Sequence, residues 1–357
     1  MSIFLYGSVS IFTALCAELS VRVRDKIIRY IFILFTLIIP SSLAGMRYGI
    51  GTDYFSYKRI FENINNGLGS RTEIGYNLIN YIIGHMGGNI QTVFFVVSFV
   101  TILFIYLSLC EHKGKISVGI GMLVFMLLYY QMSYNVVRQV LAMAISLYSV
   151  KYIFNRQLIK FIGFTLLGAS IHLSVICLFP FYFIYKFFGE RKRVLVQLLF
   201  FSIIFILISN YDKILTPIIN KIPELQYYNH YLVKKEDISF GFGVVALNIP
   251  YIMPGIVFYK NIIKYENRFI FYYILMCVGF LLKFMGYFAA NYANRIADVF
   301  FISVIIIIPY YIKMVRRNKE LSFINIFIIT FLFFMWIFTY FYSGWGETVP
   351  YQSILFK

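Results

Sequence analysis

Residues 91–110 read QTVFFVVSFVTILFIYLSLC, an unbroken run without a single charge. At the rise of an α-helix such a run reaches about 30 Å, the thickness of a bilayer's hydrocarbon core. In lipid its backbone N–H and C=O groups can be satisfied only within a helix or a closed barrel, and a run of this length fits the helix. Working outward, comparable apolar runs occupy 3–17, 28–46, 116–133, 136–154, 194–209, 243–259, 269–290, 296–312 and 321–342. The segment 158–188 is too long for one crossing and tight for two. Because both of its flanks are basic, it reads as two short helices of roughly 21–24 Å meeting near 170–174, with His172 at their junction. The segment 74–87 is short and carries Asn77, Asn80 and His85, so it reads as an interfacial or re-entrant helix. The expectation is an all-α polytopic membrane protein of about twelve transmembrane helices, a single domain over 1–357.

The composition agrees. The 357 residues are 61% hydrophobic, 20% aromatic and 13% charged, where soluble proteins carry about 25% charged residues. The net charge of +17 does not point to nucleic acid, since no basic, aromatic-interleaved soluble patch exists to receive it. The charge falls instead into alternate loops: Arg22, Arg24, Lys26 and Arg29; Lys113 and Lys115; Lys151, Arg156 and Lys160; Lys186 and 191–193; Lys260, Lys264 and Arg268; Lys313, Arg316, Arg317 and Lys319. The positive-inside rule puts these loops in the cytoplasm and both chain ends outside. The N-terminus lacks a basic leader and a small-residue cleavage site, and reads as a retained span. Cys16, Cys110, Cys177 and Cys277 show no CxxC spacing, so they read as small buried hydrophobes and no metal is implied.

Polar chemistry gathers at the outer ends of the spans. The stretch 46–76, MRYGIGTDYFSYKRIFENINNGLGSRTEIGY, reads as a glycine-studded loop; it opens a first outer region at 47–90 that also includes the interfacial helix, and a second outer loop covers 210–241. Arg47, Arg138, His172 and Arg295 stand at outer helix ends, with Lys283 roughly two turns deeper. Ionisable groups at such depth usually face a bundle interior or an aqueous cavity. Asn135, Arg138, Gln139, Ala142, Ser146 and Ser149 share one small, polar helix face, as do Thr165, Gly168, Ala169 and His172, and Gly279, Lys283, Gly286 and Ala290. Small residues on such faces serve close helix packing, but packing needs no cation. Arg295 and Asp298, one turn apart, read equally as a structural ion pair. Several cations on one leaflet suit a diphosphate, with arginine offering bidentate contacts and lysine a point charge. No Walker or dinucleotide fingerprint is present, so side chains on a cavity wall would hold the anion. Asp53, Glu73 and His172 are the candidate proton acceptors; a turn role for Asp53 and a helix-dipole role for Glu73 stand beside that reading.

The pieces RYGIGTDYFSY (47–57), EIGYNLI (73–79), NVVRQVLAMAI (135–145), GASIHLSVICLFP (168–180), NR (294–295) and VPYQS (349–353) resemble, in that order, the EpsG-like Wzy polymerases of bacterial surface polysaccharide, O-antigen or capsule. The resemblance implies a GT-C-like membrane glycosyltransferase in the inner membrane with its active site facing the periplasm. Its donor and acceptor would be undecaprenyl-diphosphate-linked oligosaccharides, with membrane lipids around it, a chain-length regulator as a candidate partner, and neither cofactor nor metal. Carried over by motif, Arg47, Arg138 and Arg295 would hold diphosphate, joined by Tyr54, Tyr57, Gln139, Lys283 and Tyr351 as substrate contacts. Asp53, Glu73 and His172 would supply acid/base or sugar contacts. An O-antigen ligase shares donor and topology style. A flippase would need cations along its whole depth, whereas these cluster at one end.

Overall fold

The computed structural model describes residues 1–188, 242–288, 291–315 and 322–356, with single positions 203, 217, 220 and 221, and among them it is helical with no β-strand. The expected outer loop 210–241 and span 194–209 therefore lie outside the described residues, apart from those single positions. The chain divides into two compact units, Met1–Ile176 with Ile308–Lys357, and Cys177–Ile307.

The first unit opens with α1 (Ser2–Arg22) and α2 (Lys26–Met46), a tight hairpin. Asp25 caps α2 by accepting from the Ile28 N–H at 2.9 Å, satisfying one of the orphan donors at a helix start. Two further helices follow, α3 (Tyr54–Asn65) and α4 (Ile74–His85), before α5 (Ile90–Cys110), which Asn89 starts with a reciprocal capping box. Then come α6 (Val118–Phe125), α7 (Val137–Phe154) and α8 (Leu158–Ile171). Helix α1 packs on α2 and α6, α2 on α5, α5 on α7, and α7 on α8. Gly45 allows the α2–α5 contact, since a Cβ there would lie 2.9 Å from the Cβ of Phe95. Helix α7 is buried on every side; Ala142, Ala144, Ser146 and Ser149 let its neighbours approach closely.

One end of this unit carries the basic loops. There Glu18 accepts from the Ser117 hydroxyl and the Gly119 N–H, both at 2.7 Å, and Lys151 pairs with Glu111 at 3.0 Å. At the other end the C-terminal tail folds over the helix termini. Tyr48 N donates to Gln352 O, Gly51 N to Glu347 O, the Tyr6 hydroxyl to Thr348 O (each 3.0 Å), and Tyr351 N to the Ser2 hydroxyl at 2.9 Å. Both chain ends thus share one end of the first unit.

Several expectations need correction. The stretch 46–76 is not simply a loop: Tyr54 and Tyr57, at i and i+3, bury one face of α3, and flanking glycines hide the helix in the sequence. The run 116–133 leaves α-geometry after Phe125 for a π-turn (Met126–Tyr130) and a 3₁₀ turn (Met132–Tyr134). The segment 158–188 does break at His172, but a 3₁₀ stretch (Leu173–Leu178) precedes α9 (Pro180–Phe188).

In the second unit, α10 (Phe242–Val257) runs through Pro250 and Pro254. Each proline removes only its own N–H, and the Pro254 carbonyl still accepts from Phe258 N at 2.9 Å. Helices α11 (Tyr259–Tyr265) and α12 (Arg268–Phe288) follow, then α13 (Asn291–Phe301) and α14 (Val304–Val315). The run 296–312 is therefore two helices bent by 40°, where Ser303 turns its hydroxyl back onto the Phe300 carbonyl at 2.8 Å. From Ile308 the chain is back in the first unit, where it closes through α15 (Ser322–Trp336) and a π-turn (Ile337–Tyr342).

By length and composition, four described helical segments can cross a membrane: Ser2–Arg22, Lys26–Met46, Ile90–Cys110 and Phe323–Tyr342. The bent pair Asn294–Phe301 and Val304–Val315 adds a fifth if it counts as one crossing. The chain is a helical membrane protein. The remaining apolar helices are shorter, among them Leu158–Ile171 and Ala246–Val257.

Candidate active site

Three separate segments of the first unit bring polar groups to one place. Glu73 stands at the N-cap of α4, Arg138 in the first turn of α7, and His172 at the C-cap of α8. Arg138 Nη1 donates to Glu73 Oε2 in a charge-assisted bond, and the other carboxylate oxygen accepts from the Leu173 N–H at 3.3 Å. Both side chains remain partly accessible, 21% for Arg138 and 24% for Glu73. Buried Arg138 Nε has no hydrogen-bond partner among the described residues. Close approach of α4 to α8 sets this geometry: a Cβ on Gly75 would lie 2.8 Å from the Ser170 carbonyl oxygen.

Tyrosines floor the site. The Tyr57 and Tyr76 rings meet edge-on with centroids 5.8 Å apart, and the Arg138 guanidinium lies 5.8 Å from the Tyr76 centroid. Burial pushes the Tyr57 phenol up, against the pull of the Arg138 charge, and the Asp53 carboxylate at the N-cap of α3 adds to the rise. His172 is buried with an extended backbone, and its Nδ1 accepts from the Ser174 N–H at 3.3 Å, so a neutral ring carries its proton on Nε2.

Other predicted residues have structural partners. Arg47 is 1% exposed and lies against the rings of Phe94 and Tyr134 at 4.0 and 4.4 Å, so it is not on the open wall where it was expected. Tyr54 is buried and its hydroxyl accepts from Gln91 Nε2 at 2.9 Å. The Tyr351 hydroxyl, pushed up to about 12 by burial, donates to the Leu43 carbonyl at 2.8 Å. Gln139 is buried beside Arg138 on α7.

Lys283 and Arg295 belong to the second unit. There Lys283 pairs with Asp298 at 3.0 Å and sits 4.2 Å from the Phe301 ring centroid, so the carboxylate expected to serve Arg295 is held by Lys283 across two helices. Gly279 permits that contact, its α-carbon facing the Ala297 carbonyl on α13.

Sequence reasoning missed the brace beneath the site. Asn135 receives the Thr52 hydroxyl on Oδ1 and donates Nδ2 to the Gly346 carbonyl, both at 3.0 Å. Gln131 donates to the Thr348 hydroxyl at 2.9 Å and accepts from Trp336 Nε1 at 2.6 Å. The readable signal was glycine: Gly51 (φ +93°) and Gly346 (φ +74°) both pack on Asn135 with left-handed backbones that side chains rarely adopt. Among the described residues no three His, Cys, Asp or Glu side chains gather as a metal site.

A family model for the EpsG family matches residues 28–353. The chain belongs to the EpsG family. The match spans Glu73, Arg138 and His172 and reaches the tail through Ser353, so the elements that build the site all lie within the EpsG region. No curated protein and no solved structure matches the chain. EpsG membership supports a polysaccharide-polymerase type of function, generally of the glycosyltransferase kind.

Proposed function

We propose that this EpsG-family protein is a polysaccharide polymerase that joins lipid-linked repeat units at the periplasmic face of the bacterial inner membrane. The growing glycan would move from undecaprenyl diphosphate to the non-reducing end of a new lipid-linked unit. The observation that carries the reading is the partly open Arg138–Glu73 pair, set beside His172 by three distant segments. In substrate, a diphosphate oxygen takes the place of the Glu73 carboxylate on Arg138, whose planar donors suit phosphate. The released carboxylate accepts the proton of the attacking sugar hydroxyl, while His172, whose Nδ1 is engaged by Ser174, offers its Nε2–H as a donor to sugar or diphosphate. That oxygen bonds to the anomeric carbon, the bond from that carbon to the diphosphate oxygen breaks, and undecaprenyl diphosphate leaves with the electron pair.

In this reading the shorter apolar helices complete a GT-C-like bundle of about twelve spans, with the basic loops inside. No metal is required in this reading.

The test is a gene deletion followed by gel analysis of surface polysaccharide. A polymerase null leaves single repeat units on the acceptor. Long polymer accumulating on the lipid carrier would assign the protein to the ligases, and units trapped inside the cell would assign it to the flippases; either overturns the reading.

A further inference from the structure

The Arg47 side chain faces a cavity of about 10 Å³ in the first unit. Its Nε and Nη1 are buried, and among the described residues neither has a hydrogen-bond partner and no carboxylate pairs with the guanidinium. Phe94 and Tyr134 lie against the guanidinium. A ring face attracts the cation but gives its edge N–H groups no in-plane acceptor. A guanidinium cannot shed its proton in a protein, so desolvation is not relieved by neutralising the group itself. The charge has to be answered from the cavity.

The cavity wall also carries Ser98, Thr101 and Ser133. Thr101 and Ser133 hydroxyls donate to the Val97 and Tyr130 carbonyls, and as rotors each can turn towards a guest. The space admits one small guest of about water size and excludes a diphosphate. A water would supply an acceptor oxygen but leave the full positive charge in a low-dielectric interior, where charge interactions are strongest.

We propose that Arg47 forms a binding site for a small monovalent anion of the halide class, chloride under cellular conditions, held by the guanidinium edge and the wall hydroxyls. The anion neutralises the charge at the C-terminal end of α2, where the Arg47 backbone pairs with Ser353 and anchors the tail. It is a structural ion, separate from the Arg138–Glu73 pair.

The test uses the full chain in detergent, melted at constant ionic strength in sodium chloride or in sodium gluconate, whose anion is too large to enter. Chloride should raise Tm by a few degrees in a saturable manner, bromide should replace it, and Arg47→Gln should abolish the difference. Because Arg47→Gln can fail to fold, wild-type crystals grown in bromide give a second readout: an anomalous peak beside the Arg47 guanidinium. Equal melting in the two anions, an anion effect that survives in Arg47→Gln, or a bromide map without that peak overturns the proposal.

Discussion

Arg138 and Arg47 are both arginines at helix ends, yet their surroundings give them different work. Arg138 is partly accessible and shares its charge with Glu73, whereas Arg47 is enclosed by aromatic rings. Removing Arg138 should therefore strike catalysis. Arg138→Ala is expected to cut the rate of chain extension by about 10²–10³-fold, the usual cost of losing one donor to developing negative charge. Arg138→Lys should recover only part of it, because a point charge replaces a planar fork. Chain-length profiles at equal protein level measure both; wild-type lengths in the alanine variant would remove Arg138 from the mechanism. Glycine gives a purely structural counterpart. Gly346→Ala would place a Cβ against Asn135 Nδ2 on a backbone with φ +74°. The strain alone costs about 1–2 kcal/mol, so the variant should melt lower, while an alanine at Gly67, equally left-handed but facing open space, should show only the smaller conformational loss.

At the scale of elements, the tail is a clamp. Its backbone and side chains bond to α1, to the end of α2, to the start of α3 and to the Gln131–Asn135 turn. Truncation before Gly344 should lower stability in detergent by several degrees and loosen the α3–α4 region, read as faster protease cleavage at 66–72, the exposed connection. Unchanged cleavage would mean that the clamp holds only α1 and α2. The apolar runs made α1, α2 and α5 legible in advance, because a span has to bury a whole face in lipid and shows it as unbroken hydrophobicity. Helix α3 was not legible. Its exposed face mixes Phe55 with Ser56, Arg59 and Glu62, and its buried face is made of two tyrosines, so it carries no run that stands out. Nor was the bend at Ser303: a serine inside an isoleucine-rich run is ordinary until its hydroxyl is seen on a backbone carbonyl.

At the scale of the whole molecule, alternate loops carry the positive charge, and in the first unit the described basic loops lie at the end opposite the tail. Single cysteines at Ser70 and Gly114, in a background without the four native thiols, should label oppositely with an impermeant maleimide on intact cells, Ser70 reacting and Gly114 silent. The reverse pattern would invert the proposed orientation and place Glu73 and Arg138 on the cytoplasmic side. In the second unit Lys283→Ala leaves Asp298 without its partner, so it should destabilise more than the double variant with Asp298→Ala, as expected when a half-buried charge is stranded. Melting of the two variants decides this.

Hydropathy and charge alone were enough to read the chain as helical and as a membrane protein. Hydrophobic length and charge bias are local properties, and the bilayer reads them segment by segment. The sequence also named Glu73, Arg138 and His172 as candidates. Only the tertiary structure decided that Glu73 and Arg138 form a pair beside the His172–Leu173 break, and that Arg47 faces aromatic rings instead of solvent. Such pairings depend on which helix faces meet, and close approaches such as Gly75 on Ser170 and Gly51 on Asn135 set them across distances in sequence that no local pattern records.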